Sequence, residues 1–511
     1  RPNTSDLHPM IRHALLLLFL LPSLFLNAQE RVDLKDLDAY IANAVREFEQ
    51  PGLAVGIVKD GKLLWAKGYG KLDLAKKDAV DPNTIFFLAS MSKAFTACAV
   101  GLLVDDGKLD WNDPVVEHLP RFRTPDAWVT EHMLVKDLLC HRSGWITFDG
   151  DLLWYGTDYD QREILERHAA EPFTYPFRDE FGYSNLMFIA AAQLIEAVSG
   201  KTWDQFITER IITPLGMTRT TVETADLARF DNVALPHVRK DQDPEALQVS
   251  MPYQALQGAD GATGINSCVT DLAKWDAMWM NEGQVDGKPF LSSASYRMIT
   301  SIHLPMDGRR DGAALGWFVE DFEGERVITH SGGMPGFILN HAVVPDSDLA
   351  VICLGNGESY SVFAITQEIL DRYLGDGSKD PVAALMPRVR QRQAAEVQRR
   401  ADRVAARITG TSPSLKPEAF TGTYTDKIYG DATIDLVDGT LRLTLLPAKD
   451  LLTGPLEHWH YDTWRWDNAD PFLEAGFVTF LFDTDHQVTG FTMDQHSPDF
   501  HFYKLDFRKV E

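Results

Sequence analysis

At 511 residues with ordinary apolar content, the chain exceeds what one hydrophobic core supports and predicts two globular units. Its formal net charge of −25 excludes nucleic acid and anionic membrane surfaces as principal partners, because a polyanion is held by clustered cations. Four widely separated cysteines, Cys98, Cys140, Cys268 and Cys353, read as buried thiols rather than as a disulfide framework.

Near the start, Arg12-His13, an apolar run over residues 14–26 and the small-residue site Leu26-Asn27-Ala28 have the order of a secretory signal peptide, with cleavage expected after Ala28. The run is shorter than a membrane span and no cysteine follows to take lipid, so an exported, periplasmic or extracellular protein without a stable membrane anchor is expected. Residues 1–9 ahead of Met10 read as an over-extended start, and residues 1–28 are set apart from the fold. The folded chain opens with two apolar runs, 52–59 and 63–70, broken at Lys59-Asp60-Gly61-Lys62, where Asp-Gly signals a hairpin turn.

Ser90-Met91-Ser92-Lys93 comes next and is the only Ser-x-x-Lys tetrad in the chain. The apolar residues 95–104 predict a helix, which puts Ser90 near its N-terminus and Lys93 on the same face one turn later. A helix N-terminus favours negative charge developing there. Further along stand Leu138-Leu139-Cys140-His141-Arg142-Ser143-Gly144, then Trp145, Trp154 and Tyr155, which read equally as core or as an aromatic rim. Tyr183-Ser184-Asn185 follows a polar loop and precedes the helical run 186–198, a loop-to-helix junction of the kind that carries catalytic groups. A glycine-rich turn over 261–268 leads into a helix. His330-Ser331-Gly332 is expected to end a strand over 325–329 and to enter a flexible edge at Gly333-Met334-Pro335-Gly336.

Beyond residue 375 the composition changes. A loop signal at 375–381 precedes an Arg-rich surface helix over 388–407, read as a connector. From residue 419 short alternating strands are expected at 422–425, 432–437, 441–446, 464–466, 477–482, 488–493 and 500–505, an all-β barrel or sandwich. Neither His458-Trp459-His460 nor Asp483-Thr484-Asp485-His486 has the spacing of a metal site. The chain also lacks the Gly-x-Ser-x-Gly elbow of α/β-hydrolases and a Walker-type phosphate loop.

Taken together, the Ser90 tetrad, Tyr183-Ser184-Asn185, His330-Ser331-Gly332 and the Leu-Leu-x-His-x-Ser-Gly segment make the chain resemble the serine β-lactamase and penicillin-binding superfamily, in particular its class C β-lactamase-like esterases and D-amino-acid peptidases. The resemblance implies an α+β fold, an antiparallel sheet flanked by helices with a helical lobe over residues 29–378. A helical connector (379–413) and a β-domain (414–511) beside the site mouth, limiting substrate entry, complete it. It implies Ser90 as a nucleophile forming an acyl-enzyme, with either Lys93 or Tyr183 as its base. Asn185 would hold Lys93 and a substrate carbonyl. The N–H groups of Ser90 and Gly333, next to Gly332, would form an oxyanion hole. His330 stands where most relatives carry lysine, and a histidine is mostly neutral at pH 7. That shifts the expectation from β-lactams toward esters or peptide-like amides. The partner implied is a small-molecule or peptide substrate, with no cofactor and no metal. A weakly catalytic cell-wall peptide or penicillin-binding protein is the alternative.

Overall fold

The computed structural model describes residues 32–253 and 258–510; the signal-peptide reading falls outside them. An amphipathic helix, α1 (Leu34–Glu47), is capped by Asp33, whose carboxylate accepts the N–H groups of Lys35 and Asp36. Strands β1 (Gly52–Lys59) and β2 (Lys62–Gly70) form the expected hairpin, with Asp60 and Gly61 both at positive φ as a tight two-residue turn requires. Then come α2 (Ser92–Asp105), α3 (Gln161–His168), α4 (Leu186–Ser199) and α5 (Val269–Met280). The remaining strands of the main sheet are β3 (Leu304–Pro305), β4 (Gly312–Ala313), β5 (Phe318–Phe322), β6 (Glu325–Met334), β7 (Phe337–Val344) and β8 (Leu349–Gly355).

The eight strands run in the order β2-β1-β8-β7-β6-β5-β4-β3, antiparallel at every pairing. Strand β8 is buried at all seven positions, as a central strand covered on both faces must be. Alternation along β1 sorts its side chains. Leu53, Val55 and Ile57 pack with Leu37 and Ile41 of α1 and with Ile365 and Ile369 of α6 (Ser361–Leu374), while Ala54 and Val58 face the larger core with Val269 and Leu272 of α5. Every residue of α2 from Ser92 to Leu103 is buried. A helix apolar all round belongs at the centre of a lobe, and that placement fixes the position of Ser90 at its mouth. The four cysteines are free and buried.

A 25-residue helix, α7 (Pro381–Ala405), leads to a closed antiparallel barrel. Its strands are β9 (Gly422–Asp426), β10 (Gly430–Val437), β11 (Thr440–Leu445), β12 (Thr453–His460), β13 (Thr463–Trp466), β14 (Gly476–Phe482), β15 (Val488–Asp494) and β16 (Asp506–Lys509). Closure pairs β9 with β16 and leaves no free edge. Two strand expectations are corrected. Segment 500–505 is not a strand but holds a 3₁₀ turn at Phe502–Lys504, with the strand following at 506. Strand β12 lies outside the seven expected strand ranges because Gly454 and Pro455 break its alternation, although His458-Trp459-His460 reads as strand-and-turn residues.

Candidate active site

Two backbone ties build the nucleophile turn. Leu88 N–H donates to the Ile265 carbonyl at 2.8 Å, and Ile265 N–H donates to Ser92 Oγ at 3.0 Å. Between them Ala89 turns the chain at φ 48°, a left-handed conformation that costs a residue with a side chain roughly 1–2 kcal/mol. Ala89–Met91 form one 3₁₀ turn running into α2. Ser90 is left partly exposed, while Lys93, one turn later, is 0% exposed.

The Lys93 amine touches three oxygens: Ser90 Oγ at 3.0 Å, Asn185 Oδ1 at 2.6 Å and the Ala262 carbonyl at 3.1 Å. None is ionised. Burial therefore lowers the amine to about 7, opposed by the charge of Asp151. Asp151 lies one step behind, accepting Asn185 Nδ2 at 2.6 Å and Trp154 Nε1 at 2.9 Å. Burial raises its carboxyl to about 8, and those two donors and Lys93 pull the other way.

Tyr183 and Asn185 do sit at a loop-to-helix junction, with Asn185 immediately ahead of α4. Ser90 lies beside the Tyr183 phenol and pulls its pKa down, and the Lys93 amine lies 4.9 Å from its ring centroid. Burial pushes the phenol well above its ordinary value, further than Ser90 and the nearby Arg310 pull it down. His141, from the Leu-Leu-x-His-x-Ser-Gly segment, stacks on the Tyr183 ring at 4.1 Å and accepts Ser184 N–H at 3.1 Å. The segment's histidine thus braces the tyrosine from behind.

The strand bearing His330 differs from expectation. β6 does not end at Thr329 but runs to Met334, pairing with β7 as far as Met334↔Phe337. Its pairing with β5 stops at Phe318↔Thr329, so from His330 onward one edge of β6 is uncovered by β5. The glycines are there for close approach: a Cβ on Gly332 would lie 2.2 Å from the Leu88 carbonyl oxygen, whereas one on Gly333 would meet nothing within 4 Å. Gly332 seats the strand against the nucleophile turn, and exposed Gly333 leaves open space beside it. His330 is 1% exposed, with Nδ1 2.7 Å from the Ser331 carbonyl. That contact requires the proton on Nδ1 and makes Nε2 an acceptor. Burial, with Lys93 and Arg310 nearby, drives its pKa far below the ordinary value, so the ring is neutral.

Ser90, Lys93, Tyr183, Asn185, His330, Gly332 and Gly333 thus converge on one place. Trp145, Trp154 and Tyr155 do not form a rim: they are 1%, 2% and 0% exposed and belong to the core. An apolar pocket does open beside the site, lined by Phe87, Met251, Tyr253, Met334, Pro335 and Phe337. Asp151, the Ala262 carbonyl and Arg310, whose guanidinium lies 3.7 Å over Phe318, escaped sequence reasoning. No spacing rule ties Asp151 to an asparagine 34 residues away, although the Ala262 segment reads as a glycine-rich turn.

A family model described as Beta-lactamase matches residues 37–374, and one described as a domain of unknown function (DUF3471) matches 406–509. The unguisins hydrolase ungD′ of Aspergillus campestris is 31% identical over 356 residues, 66% of this chain and 65% of that protein. Protein flp of Staphylococcus aureus strain MW2 is 25% identical over 354 residues, 69% of each. The chain spans 65% of the length of the two unguisins hydrolases it matches. In fold it is similar to an octameric penicillin-binding protein homologue from Pyrococcus abyssi, with TM-score 0.62 at 22% identity over 93% of this chain and all of the other.

Proposed function

The chain belongs to the beta-lactamase family, and on that premise we propose that it is an exported serine hydrolase acting through a Ser90 acyl-enzyme on ester or peptide-like amide bonds. The observation that carries the reading is the Lys93 amine, 3.0 Å from Ser90 Oγ with uncharged acceptors as its other contacts. A neutral amine places its two N–H groups on Asn185 Oδ1 and the Ala262 carbonyl. Its lone pair then takes the Ser90 proton as Oγ attacks the carbonyl. Tyr183, held protonated by burial, donates toward the leaving group rather than serving as first base. The N–H groups of Ser90 and Gly333 receive the oxyanion, each donor worth roughly 3–4 kcal/mol in such sites.

Neutral His330 offers an acceptor where a lysine would offer a cation, which disfavours a substrate anchored by its carboxylate at that position. One relative is named for hydrolysing unguisins, in keeping with a hydrolase reading.

Covalent labelling tests this. A fluorophosphonate or penicillin probe should add its mass at Ser90 and fail on Ser90→Ala; labelling that survives the substitution overturns the reading. Short acyl nitrophenyl esters, nitrocefin and D-alanyl peptides assayed side by side then rank the substrate classes. N-terminal sequencing of secreted protein, expected to begin at Gln29, tests export.

A further inference from the structure

Asp151 is a buried carboxylate for which the proposed chemistry has no step. It opens the 3₁₀ turn Asp151–Leu153 behind Gly150, which takes φ 80° and where a Cβ would lie 2.5 Å from the His168 ring. It is 2% exposed. Both Asp151 oxygens serve as acceptors, Oδ2 from Asn185 Nδ2 and Oδ1 from Trp154 Nε1, so Asp151 dictates which way the Asn185 amide faces. Nδ2 must point to Asp151, and Oδ1 must point to Lys93. A flipped amide would set Oδ1 against the carboxylate and an N–H against the amine.

With that amide fixed, the Lys93 amine meets two groups that cannot donate to it, Asn185 Oδ1 and the Ala262 carbonyl. Both of its N–H bonds are committed there. The direction left over is toward Ser90.

We propose that Asp151 is a positioning residue for hydrolysis, acting through Asn185 to aim the Lys93 lone pair at Ser90, and that the C-terminal barrel holds it there. The inference rests on the Ser90–Lys93 reading above. On either side of Asp151 the chain is clamped by the barrel. Lys504 Nζ donates to both oxygens of Asp149 at 2.8 and 2.9 Å. Tyr155 Oη donates to Asp470 Oδ2 at 2.7 Å, and Phe500 packs on the Tyr155 ring at 4.0 Å. The accessory domain is then part of the frame of the catalytic base as well as a neighbour of the cleft.

The charged and titratable groups around Lys93 are Asp151, Tyr183, His141 and His330, with Arg310 facing the last three and the barrel's Asp499 facing Asp151. Of these, Asp151 is the one that stabilises the protonated amine. Where Asp151 is ionised it raises the Lys93 pKa, so Asp151→Asn eases deprotonation of Lys93 while spoiling its aim.

The test is the pH profile of kcat and kcat/KM on a nitrophenyl ester for the full-length protein, Asp151→Asn and Trp154→Phe, with probe labelling of each. Asp151→Asn should lower kcat about 30- to 100-fold, the scale of a misaimed catalytic group, with KM within about threefold. Its acid limb should move to lower pH. Trp154→Phe removes the Nε1 donor to Asp151 together with part of a buried ring and should shift the limb the same way by less; it decides the matter alone if Asp151→Asn does not fold. A wild type labelled at Ser90, with the acid limb unmoved and kcat within about twofold in the folded variants, overturns the role of Asp151 by itself. Hydrolysis without labelling at Ser90 sinks the reading it rests on, and this proposal with it.

Discussion

Two lysines, one in the cleft and one at the seam between the catalytic unit and the barrel, show opposite uses of the same side chain. Lys93 is fully buried among uncharged oxygens. Lys504, its side chain 26% exposed, donates at 2.7–2.9 Å to carboxylate oxygens of Asp149 and Glu171. Burial disfavours the cation in both places. At Lys504 the two carboxylates outweigh it and the pKa rises, whereas at Lys93 the nearest carboxylate is one amide away and the pKa falls to about 7. A buried lysine becomes a base or a strut according to whether its acceptors carry charge.

The largest expected effect follows from the cleft side of that contrast. Lys93→Met should lower kcat about 10³-fold, within the usual range for removing a general base, and lower the melting temperature only modestly, because an apolar chain replaces a desolvated amine but leaves Asn185 Oδ1 and the Ala262 carbonyl without its N–H groups. Turnover and thermal melts check both halves; a loss under about tenfold would pass the role of base to Tyr183. In the wild type, Lys93 must be neutral to act, so kcat/KM should fall as pH drops below about 7, and a flat profile to pH 5 would break the assignment. The two lysines also differ in sign on stability. Below its unfolded value of about 10.4 and above about 7, Lys93 is protonated only when unfolded, so its contribution rises with pH across that window. Lys504, raised on folding, stabilises fully below about 10.4 and loses that contribution as pH climbs through its higher folded value. Unfolding midpoints of Lys93→Met measured from pH 7 to 10 should therefore gain less with pH than those of the wild type.

A second, smaller effect separates neighbouring glycines on β6. Gly332→Ala places a methyl against the Leu88 carbonyl oxygen, and backing the strand away from Ser90 should cost about 10²-fold in kcat/KM. Gly333→Ala enters open space and should leave the unliganded fold and its melting temperature unchanged. Equal effects of the two substitutions on kcat/KM would show that the approach of β6 to the nucleophile turn does not govern the site.

What the sequence made legible was local in kind. The tetrad and its apolar helix placed Ser90 and Lys93 because helical periodicity acts over four residues, and Tyr183-Ser184-Asn185 marked a helix start by the same logic. The run of glycines after His330 looked like a flexible edge. In the fold those residues stay in strand because Leu339, Ile338 and Phe337 pair with them across the hairpin, and Gly332 answers a carbonyl from elsewhere in the chain. Asp151 was invisible for a related reason: its meaning lies in Asn185, brought to it by the packing of α4. Trp145, Trp154 and Tyr155 read equally as rim or core in the sequence; in the fold Trp145 packs on His168 and Phe173 within the lobe, and the barrel's Phe500 lies against Trp154 and Tyr155.

The smallest expected effect on turnover belongs to the seam. Lys504→Met leaves Asp149, 2% exposed, without its ammonium partner, a loss of about 3–5 kcal/mol when one member of a buried pair is removed. The variant should unfold at distinctly lower urea concentration. Its kcat should fall only a few-fold, about fivefold at most, because Tyr155–Asp470 and the Phe500 stack still hold the segment that carries Asp151. A drop in kcat as large as that of Lys93→Met would erase the distinction between strut and base, making the seam part of the chemistry; no change in urea midpoint would mean that Lys504 does not hold the barrel to the catalytic unit at all.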